Sequence, residues 1–319
     1  MYLLLAILEM YFYKPVPMNI RCIVSPVITG SIIIVAIACN KSVDSPGPSA
    51  AQVAKTNLPV QLNYQCANAP NYGDSIVYMQ PTKNDNIIYP VNQAALGKGT
   101  YFAWPVGLII DSVSGAINVS QSETGLRFIV GFTKAGSKDT CVKNLILGGI
   151  TYADRIYVLS NNDTLAVPYY NANASTPAVC NVSDDNDYPD NSGHGNGDDN
   201  CIFDGIDKKG KKGQANAENV KVRTISGVIN LKATLAAGAF GNNPVNGTSI
   251  IAPIAYSLND KSKKATQQIN VQLIYYAKKT DIPAALVNTI TENNAAFFQN
   301  TAILKSPRPP IIVVSMFAQ

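Results

Sequence analysis

The chain has 319 residues, of which 14% are charged and only one is a histidine. A single histidine excludes zinc sites built from two or three histidines, the HExxH motif among them. It also leaves His194 as the sole candidate base for a Ser-His-Asp or Cys-His arrangement. His194 lies between two glycines in a polar loop, where nothing holds a base against its partner. We therefore expect an exposed loop residue without a catalytic role.

Residues 1–38 have the parts of an export signal. Arg21 precedes an uncharged apolar run from Cys22 to Val35, and small residues follow this run. A basic start, an apolar core and small residues are typical of a secretory signal peptide. The run is short for a membrane span and is interrupted by Pro26 and Gly30. Two alternatives stay open, namely an uncleaved anchor helix and a true start at Met18.

The end of this segment, Ala36-Ile37-Ala38-Cys39, resembles the lipobox of bacterial lipoproteins, in which Leu usually stands at the position of Ala36. The resemblance implies that Cys39 is lipidated and becomes the mature N-terminus. Residues 39–54 are rich in polar, Ser, Gly and Pro residues and predict a flexible tether. The expectation is an exported protein of the cell envelope, held at the outer membrane by a lipid anchor.

Four further cysteines, Cys66, Cys141, Cys180 and Cys201, follow the tether. An even number of cysteines in an exported protein favours disulfides. Three pairings are possible, and we prefer Cys180 with Cys201, which closes a short polar loop and leaves Cys66 with Cys141. No cysteine pair has CxxC spacing, so the sequence gives little support to metal knuckles or thioredoxin-type redox chemistry.

Residues 55–170 contain short apolar or alternating runs separated by Gly, Asn, Asp and Pro. Many short strands with regular turn signals indicate a β-sandwich. The predicted strands are Leu58 to Tyr64, Ser75 to Met79, Ile87 to Val91, Tyr101 to Trp104, Ala116 to Val119, Leu126 to Phe132, Leu145 to Ile150 and Ile156 to Leu159.

The most specific stretch runs from Trp104 to Phe132 and contains PVGLIID, SGAI and SETGLRFIV. It resembles the core of bacterial putative-Ig and cadherin-like surface repeats, which implies an adhesive or spacer module and supplies no catalytic residues. Asp111 and Ser112 can bond to their own backbone and Gly115 can take a positive φ, so a tight turn is expected there. Gly125 then turns the chain into the next strand.

Residues 171–214 are rich in Asp, Asn and Gly and predict a linker that forms no core. Residues 215–319 predict an α+β domain with a helix from Asp281 to Phe298 and strands at Val228–Leu235, Ile250–Leu258, Ile269–Tyr276 and Ile311–Val314. Its C-terminal end reads as a β-α-β unit. The predicted fold class is therefore mainly β, an Ig-like or cadherin-like β-sandwich followed by a small α+β domain.

The linker holds the one candidate metal site, because calcium prefers several oxygen ligands in flexible acidic loops. Two interpretations are open, a calcium site and a solvated acidic loop closed by a disulfide, and we favour the second. The EF-hand order is absent from the segment. The candidate ligands are Asp184, Asp185, Asn186, Asp187, Asp190, Asp198 and Asp199.

Charge and tyrosine are unevenly distributed. Residues 39–204 carry 9 Lys and Arg against 15 Asp and Glu, whereas residues 205–319 carry 14 against 5. A basic half can bind polyanions, but attraction between the halves is the preferred explanation, and no basic-aromatic motif favours nucleic acid.

Tyr169-Tyr170 and Tyr275-Tyr276 are adjacent pairs, so one member of each should face the core and the other is a candidate glycan platform.

These observations predict a protein that is not an enzyme and has a non-catalytic adhesion, ligand-binding or structural role. The expected partners are the membrane and a glycan or envelope protein, with no cofactor apart from the calcium alternative. The rival hypothesis is a hydrolase of extracellular polymers that uses Asp carboxylates. That chemistry needs two carboxyl groups in one cleft, about 5–10 Å apart.

Overall fold

The computed structural model describes residues 62–81, 86–180, 201–205, 213–299 and 309–319, all within one compact unit, Ala54–Gln319. Strands hold 36% and helices 16% of it, which confirms the mainly β class. The signal segment, the tether with Cys39, His194 and all seven candidate calcium ligands lie outside the described residues.

The elements fall into two modules that follow each other directly along the chain. The first contains β1 (Leu62–Asn63), β2 (Ile76–Val77), β3 (Ile87–Ile88), α1 (Gln93–Leu96), β4 (Gly99–Trp104), β5 (Ile117–Asn118), β6 (Leu126–Lys134) and β7 (Thr140–Leu147). The second contains β8 (Ile150–Tyr152), β9 (Arg155–Val158), β10 (Leu165–Ala166), β11 (Pro168–Tyr170), β12 (Ile202–Phe203), α2 (Gln214–Ala217), β13 (Ile229–Asn230), α3 (Leu231–Ala236), β14 (Ser249–Ser257), β15 (Gln267–Lys278), α4 (Ala284–Phe298) and β16 (Ile311–Phe317).

In the first module, β4, β6 and β7 form an antiparallel sheet, and β1 and β2 both pair with β7 in parallel. A small sheet, β3 with β5, lies against one face. The side chains of β6 alternate between the two faces of the sheet, which explains this packing. Leu126, Phe128 and Val130 lie on the face that packs against the small sheet. Ile129 lies on the opposite face, in contact with Trp104.

The second module repeats this arrangement. Strands β12, β14 and β15 are antiparallel in the same order as β4, β6 and β7, and β16 lies parallel to β15 where β1 and β2 lie parallel to β7. A small sheet, β10 with β13, corresponds to β3 with β5. The chain therefore contains one β arrangement twice, and the second copy adds α3, α4 and a further parallel strand, β9, beside β16.

The predicted strand at Val228–Leu235 is wrong beyond its first residues, because α3 begins at Leu231. The side chain of Asn230 accepts a hydrogen bond from the Ala233 N–H at 2.9 Å and so caps this helix. The run that follows is rich in Ala, Leu and Lys, which are good helix formers. Alternation of polar and apolar residues over so few positions does not distinguish a strand from a short helix.

The C-terminal β-α-β unit is present. Strands β15 and β16 are parallel neighbours with α4 between them in sequence, and α4 begins three residues after the predicted Asp281. Ile282, just before α4, and Ile290 within it pack against Val313 of β16, and Phe297 is buried.

Residues 150–170, which the sequence placed in the first sandwich, pack in the core of the second module instead. Part of the predicted linker also belongs to that core, because Cys180, Cys201 and Phe203 are buried. Two connections explain why this part of the predicted linker is buried. The Cys180–Cys201 disulfide and the pairing of β12 with β14 hold both ends of a polar segment against the sheet.

Candidate functional site

The two modules share a nine-residue turn. Ile110–Asn118 reads IDSVSGAIN and Val222–Asn230 reads VRTISGVIN, so Ser-Gly and Ile-Asn recur at the same positions. Each segment closes with an antiparallel bridge between its first and eighth residues. Only the first copy was predicted from the sequence, although the repeated SGxIN motif marks the second.

The two turns have the same backbone geometry. The N–H of Gly115 donates to the carbonyl of Asp111 at 2.9 Å, and the N–H of Gly227 donates to the carbonyl of Arg223 at 3.1 Å. The φ angles of the two glycines are +71° and +70°, a region that residues with a Cβ avoid. The positive φ expected at Gly115 is therefore present in both copies.

An aromatic ring lies on each turn glycine. A methyl group added to Gly115 would lie 2.6 Å from a ring carbon of Tyr101, and one added to Gly227 would lie 2.6 Å from a ring carbon of Phe203. Each ring also contacts an aromatic residue of the adjacent strand, Phe132 or Tyr256. The close approach requires glycine for a second reason besides φ.

In each module, the hydroxyl of a tyrosine that lies earlier in the chain donates a hydrogen bond to the carbonyl of the turn glycine. The hydroxyl of Tyr72 donates to the carbonyl of Gly115 at 2.6 Å, and that of Tyr152 donates to the carbonyl of Gly227 at 2.5 Å. Burial raises the pKa of both phenols, so both remain protonated donors. These two residues were not predicted, because the sequence offers no local pattern for them.

The segments before the turns are equivalent and differ in exposure chiefly at their third outward residue, Val91 or Tyr169. Ile87 pairs with Asn118 and Leu165 pairs with Asn230, so Ile87–Val91 and Leu165–Tyr169 run in the same register. Alternate residues point outward in both. We call Ile87, Tyr89 and Val91 the first row; they are 41%, 55% and 70% exposed. We call Leu165, Val167 and Tyr169 the second row.

The end of helix α4 contacts Tyr169, whereas Leu165 and Val167 of the second row are 39% and 43% exposed. The ring centroid of Tyr169 lies 5.1 Å from that of Phe297 and 5.6 Å from that of Phe298, in edge-on geometry. Tyr170, the next residue, is buried, as the alternation predicts. The prediction for the other pair is wrong, because Tyr275 and Tyr276 are both buried in cores on opposite faces of β15.

Asp111 acts within its own turn. Its Oδ1 accepts hydrogen bonds from the N–H and the hydroxyl of Ser114 at 2.6 and 2.7 Å and from the N–H of Val113 at 3.1 Å. These donors hold the pKa of Asp111 below its usual value. The Ser114 hydroxyl oxygen also accepts the N–H of Ala116 at 3.2 Å, so Ser114 has the backbone-bonding role that was expected for Ser112.

Asp204 is the most deeply buried carboxylate among the described residues. It accepts hydrogen bonds from the N–H groups of Ala215 and Asn216 at 3.3 and 2.6 Å and from the Asn216 side chain at 2.9 Å. Burial raises its pKa, and the charge of nearby Glu218 raises it further, although the hydrogen bonds oppose both effects. Glu218 itself is exposed and bonded to Gln214.

Asp154 fastens the C-terminal helix to the sheet. Its Oδ2 accepts a hydrogen bond from the Asn293 side chain at 2.7 Å, and its Oδ1 accepts one from the Ile311 N–H at 2.9 Å. Asp111, Asp154 and Asp204 thus each bond to backbone groups and stabilise local structure.

Two disulfides are present, Cys66–Cys141 and Cys180–Cys201, which is the preferred pairing. Within the described ranges, no three His, Cys, Asp or Glu side chains cluster as metal ligands would. No helix in the same ranges is long and apolar enough to cross a membrane. No family model matches the chain, and no curated protein is detectably similar to it.

Proposed function

We propose that the chain is an exported, lipid-anchored protein of the cell envelope, built from two putative-Ig or cadherin-like modules and acting by binding rather than by catalysis. The observation that carries the proposal is the duplicated turn, with its aromatic ring on glycine and its tyrosine hydroxyl on the glycine carbonyl. A rigid β scaffold positions the loops at its ends, and binding residues concentrate on such loops.

The disulfides support the exported location, because such bonds persist in oxidising compartments. Among the described residues, the hydrogen bonds of Asp154 and Asp204 favour a binding role over a hydrolytic one. A general acid needs a proton and a free path to substrate, whereas the oxygens of Asp204 and Asp154 accept N–H groups of the fold. We place the anchor at Cys39, on the lipobox resemblance.

Labelling of producing cells with a palmitate analogue tests the anchor. We expect label on the intact chain, loss of label in Cys39→Ala, and retention in the matched control Cys22→Ala, whose cysteine lies inside the apolar run. Absence of label on the intact chain would refute the lipid anchor, and label that survives in Cys39→Ala would refute its placement at Cys39.

Hydrolysis assays on polysaccharides and on peptidoglycan test the non-catalytic role. We expect no turnover above that of a heat-denatured sample. Turnover that disappears in both Asp204→Asn and Asp154→Asn, with the fold intact by circular dichroism, would establish the hydrolase alternative instead.

A further inference from the structure

We propose that the chain bears tension along its length, between the N-terminal tether and the end of β16. The inference goes beyond binding and rests on the proposed function, in which the lipid anchor holds one end and a bound partner pulls against it. The observation that carries it is shared by both modules. In each, a strand near the start of the module lies beside a strand at its end, and the two strands are parallel.

In the first module these strands are β1 and β7. Leu62 is opposite Thr140 and Asn63 is opposite Cys141, and β1 is the first strand of the described residues. The chain therefore enters at the beginning of β1 and leaves at the end of β7, beyond Leu147. Because the strands are parallel, tension between these two points pulls them in opposite directions along their own axes.

In the second module the corresponding strands are β9, which the chain reaches through the three-residue β8, and β16. They pair at four positions, beginning with Arg155 opposite Ile312. On its other side β16 pairs in parallel with β15, at six positions. Asp154, immediately before β9, adds a side-chain bond, because its Oδ1 accepts the N–H of Ile311 at 2.9 Å. Tension between the start of β9 and the end of β16 therefore acts along a strand that is held on both sides.

Parallel strands resist a pull along their axes, because the hydrogen bonds between them cross from strand to strand rather than follow the pull. All bonds of the pair must then break together. A pull that separates the two strands from one end instead breaks the same bonds one after another. The direction of the load therefore decides how much force a given set of bonds withstands, and unfolding under force follows the unfolding rate rather than the equilibrium stability.

The Cys66–Cys141 disulfide reinforces the short pairing of β1, which meets β7 at only two positions. Cys66 follows soon after β1, and Cys141 lies in β7. Tension that enters through β1 passes across this bond to β7 and bypasses β2 to β6. The bond joins residues 75 positions apart, so it keeps about 260 Å of extended chain out of the load path. The Cys180–Cys201 disulfide, with a separation of 21, does the same for about 70 Å.

Single-molecule force spectroscopy on the whole chain, with its disulfides intact, tests the proposal by changing only the direction of the pull. One set of molecules carries handles at the N-terminus and at Gln319. The matched set carries handles at Gln319 and at Asn162, an exposed residue just beyond β9, so that β16 is peeled from β9. We expect the second module to withstand about two to four times more force in the first arrangement, because the four β9 pairs then break together.

A second arm removes the disulfide of the first module. In Cys66→Ala/Cys141→Ala, pulled from both ends, we expect a new extension of about 260 Å at a lower force than the second module withstands, because β1 offers only two paired positions. The matched control Cys180→Ala/Cys201→Ala should lengthen the extension of the second module by about 70 Å and should show no such early event.

Equal forces in the two pulling directions would overturn the proposal, and so would a first module that withstands as much force as the second without its disulfide. The direction comparison leaves both disulfides in place, so it decides the question if the cysteine variants do not fold. Equal forces with palmitate on Cys39 would remove the load-bearing role and leave the proposed function standing. A force difference without palmitate would support the load-bearing arrangement of the strands and refute the anchor of the proposed function.

Discussion

Replacing the turn glycine of either module by alanine should be one of the most damaging small changes in the chain. In Gly115→Ala the new methyl group meets the Tyr101 ring at 2.6 Å, and in Gly227→Ala it meets the Phe203 ring at the same distance. Both rings are buried and neighbour a second aromatic ring, so neither can withdraw into solvent.

The expected cost has two parts. A residue with a Cβ at φ near +70° loses about 1–2 kcal/mol, and overpacking in a well-packed core costs about 1–3 kcal/mol. Gly115→Ala and Gly227→Ala should each therefore lower the free energy of unfolding by about 2–5 kcal/mol. Gly136→Ala separates the two parts, because Gly136 has φ +80° and no heavy atom within 4 Å of an added methyl.

Chemical denaturation of the three variants, followed by circular dichroism, measures these costs. Gly136→Ala should lose about 1–2 kcal/mol, and the turn variants should lose clearly more. Adding Tyr101→Leu to Gly115→Ala should recover part of the loss, because the smaller side chain relieves the contact. Turn variants that match Gly136→Ala within about 0.5 kcal/mol would show that the close ring contact does not exist in solution.

Three further predictions concern single side chains. Tyr72→Phe and Tyr152→Phe should each cost about 0.5–1.5 kcal/mol by denaturation, and unequal losses of more than about 1 kcal/mol would argue against equivalent roles. Burial raises the pKa of Asp204 above its ordinary 3.8, so stability should fall as pH rises from there through the raised pKa, and Asp204→Asn should lack this fall in denaturation midpoints measured against pH. Asp154→Ala should lower the free energy of unfolding by about 1–3 kcal/mol and speed hydrogen exchange at the N–H of Ile311. Unchanged exchange there would contradict the role of Asp154 in holding the start of β16.

Much of the fold was predictable because its signals are local. The strands of residues 126–132 and 269–276 and the helix ending at Phe298 follow apolar periodicity. The turn at Asp111–Gly115 follows from residue types that bond to their own backbone. Each of these signals lies within about ten residues of the chain.

The module assignment could not be derived in this way. Strand β9 lies beside β16 although more than 150 residues separate them in the sequence, and nothing near Arg155 indicates that partner. The equivalence of Tyr72 and Tyr152 also depends on contacts across the fold. A comparison of the chain with itself, rather than periodicity, would have shown the second SGxIN turn.

In each module, parallel pairing extends the sheet beyond its last antiparallel strand, β7 or β15. The two modules stabilise this parallel pairing by different means. In the second module β16 pairs with β15 at six positions and is reinforced by α4, whereas β1 and β2 each pair with β7 at two. The Cys66–Cys141 disulfide lies next to the β1 pairing, where Asn63 is opposite Cys141.

We infer that the disulfide replaces in the first module what β16 and α4 supply in the second. Its 75-residue separation predicts a stabilisation of about 4.5 kcal/mol by the loop-entropy relation. In Cys66→Ala/Cys141→Ala, hydrogen exchange should therefore accelerate at Ile146 and Gly148, which donate to Ser75 and Val77, before it accelerates at Gln272, which donates to Pro310. Equal acceleration at all three amides would show that the modules unfold together and that the disulfide supports the whole unit rather than one edge.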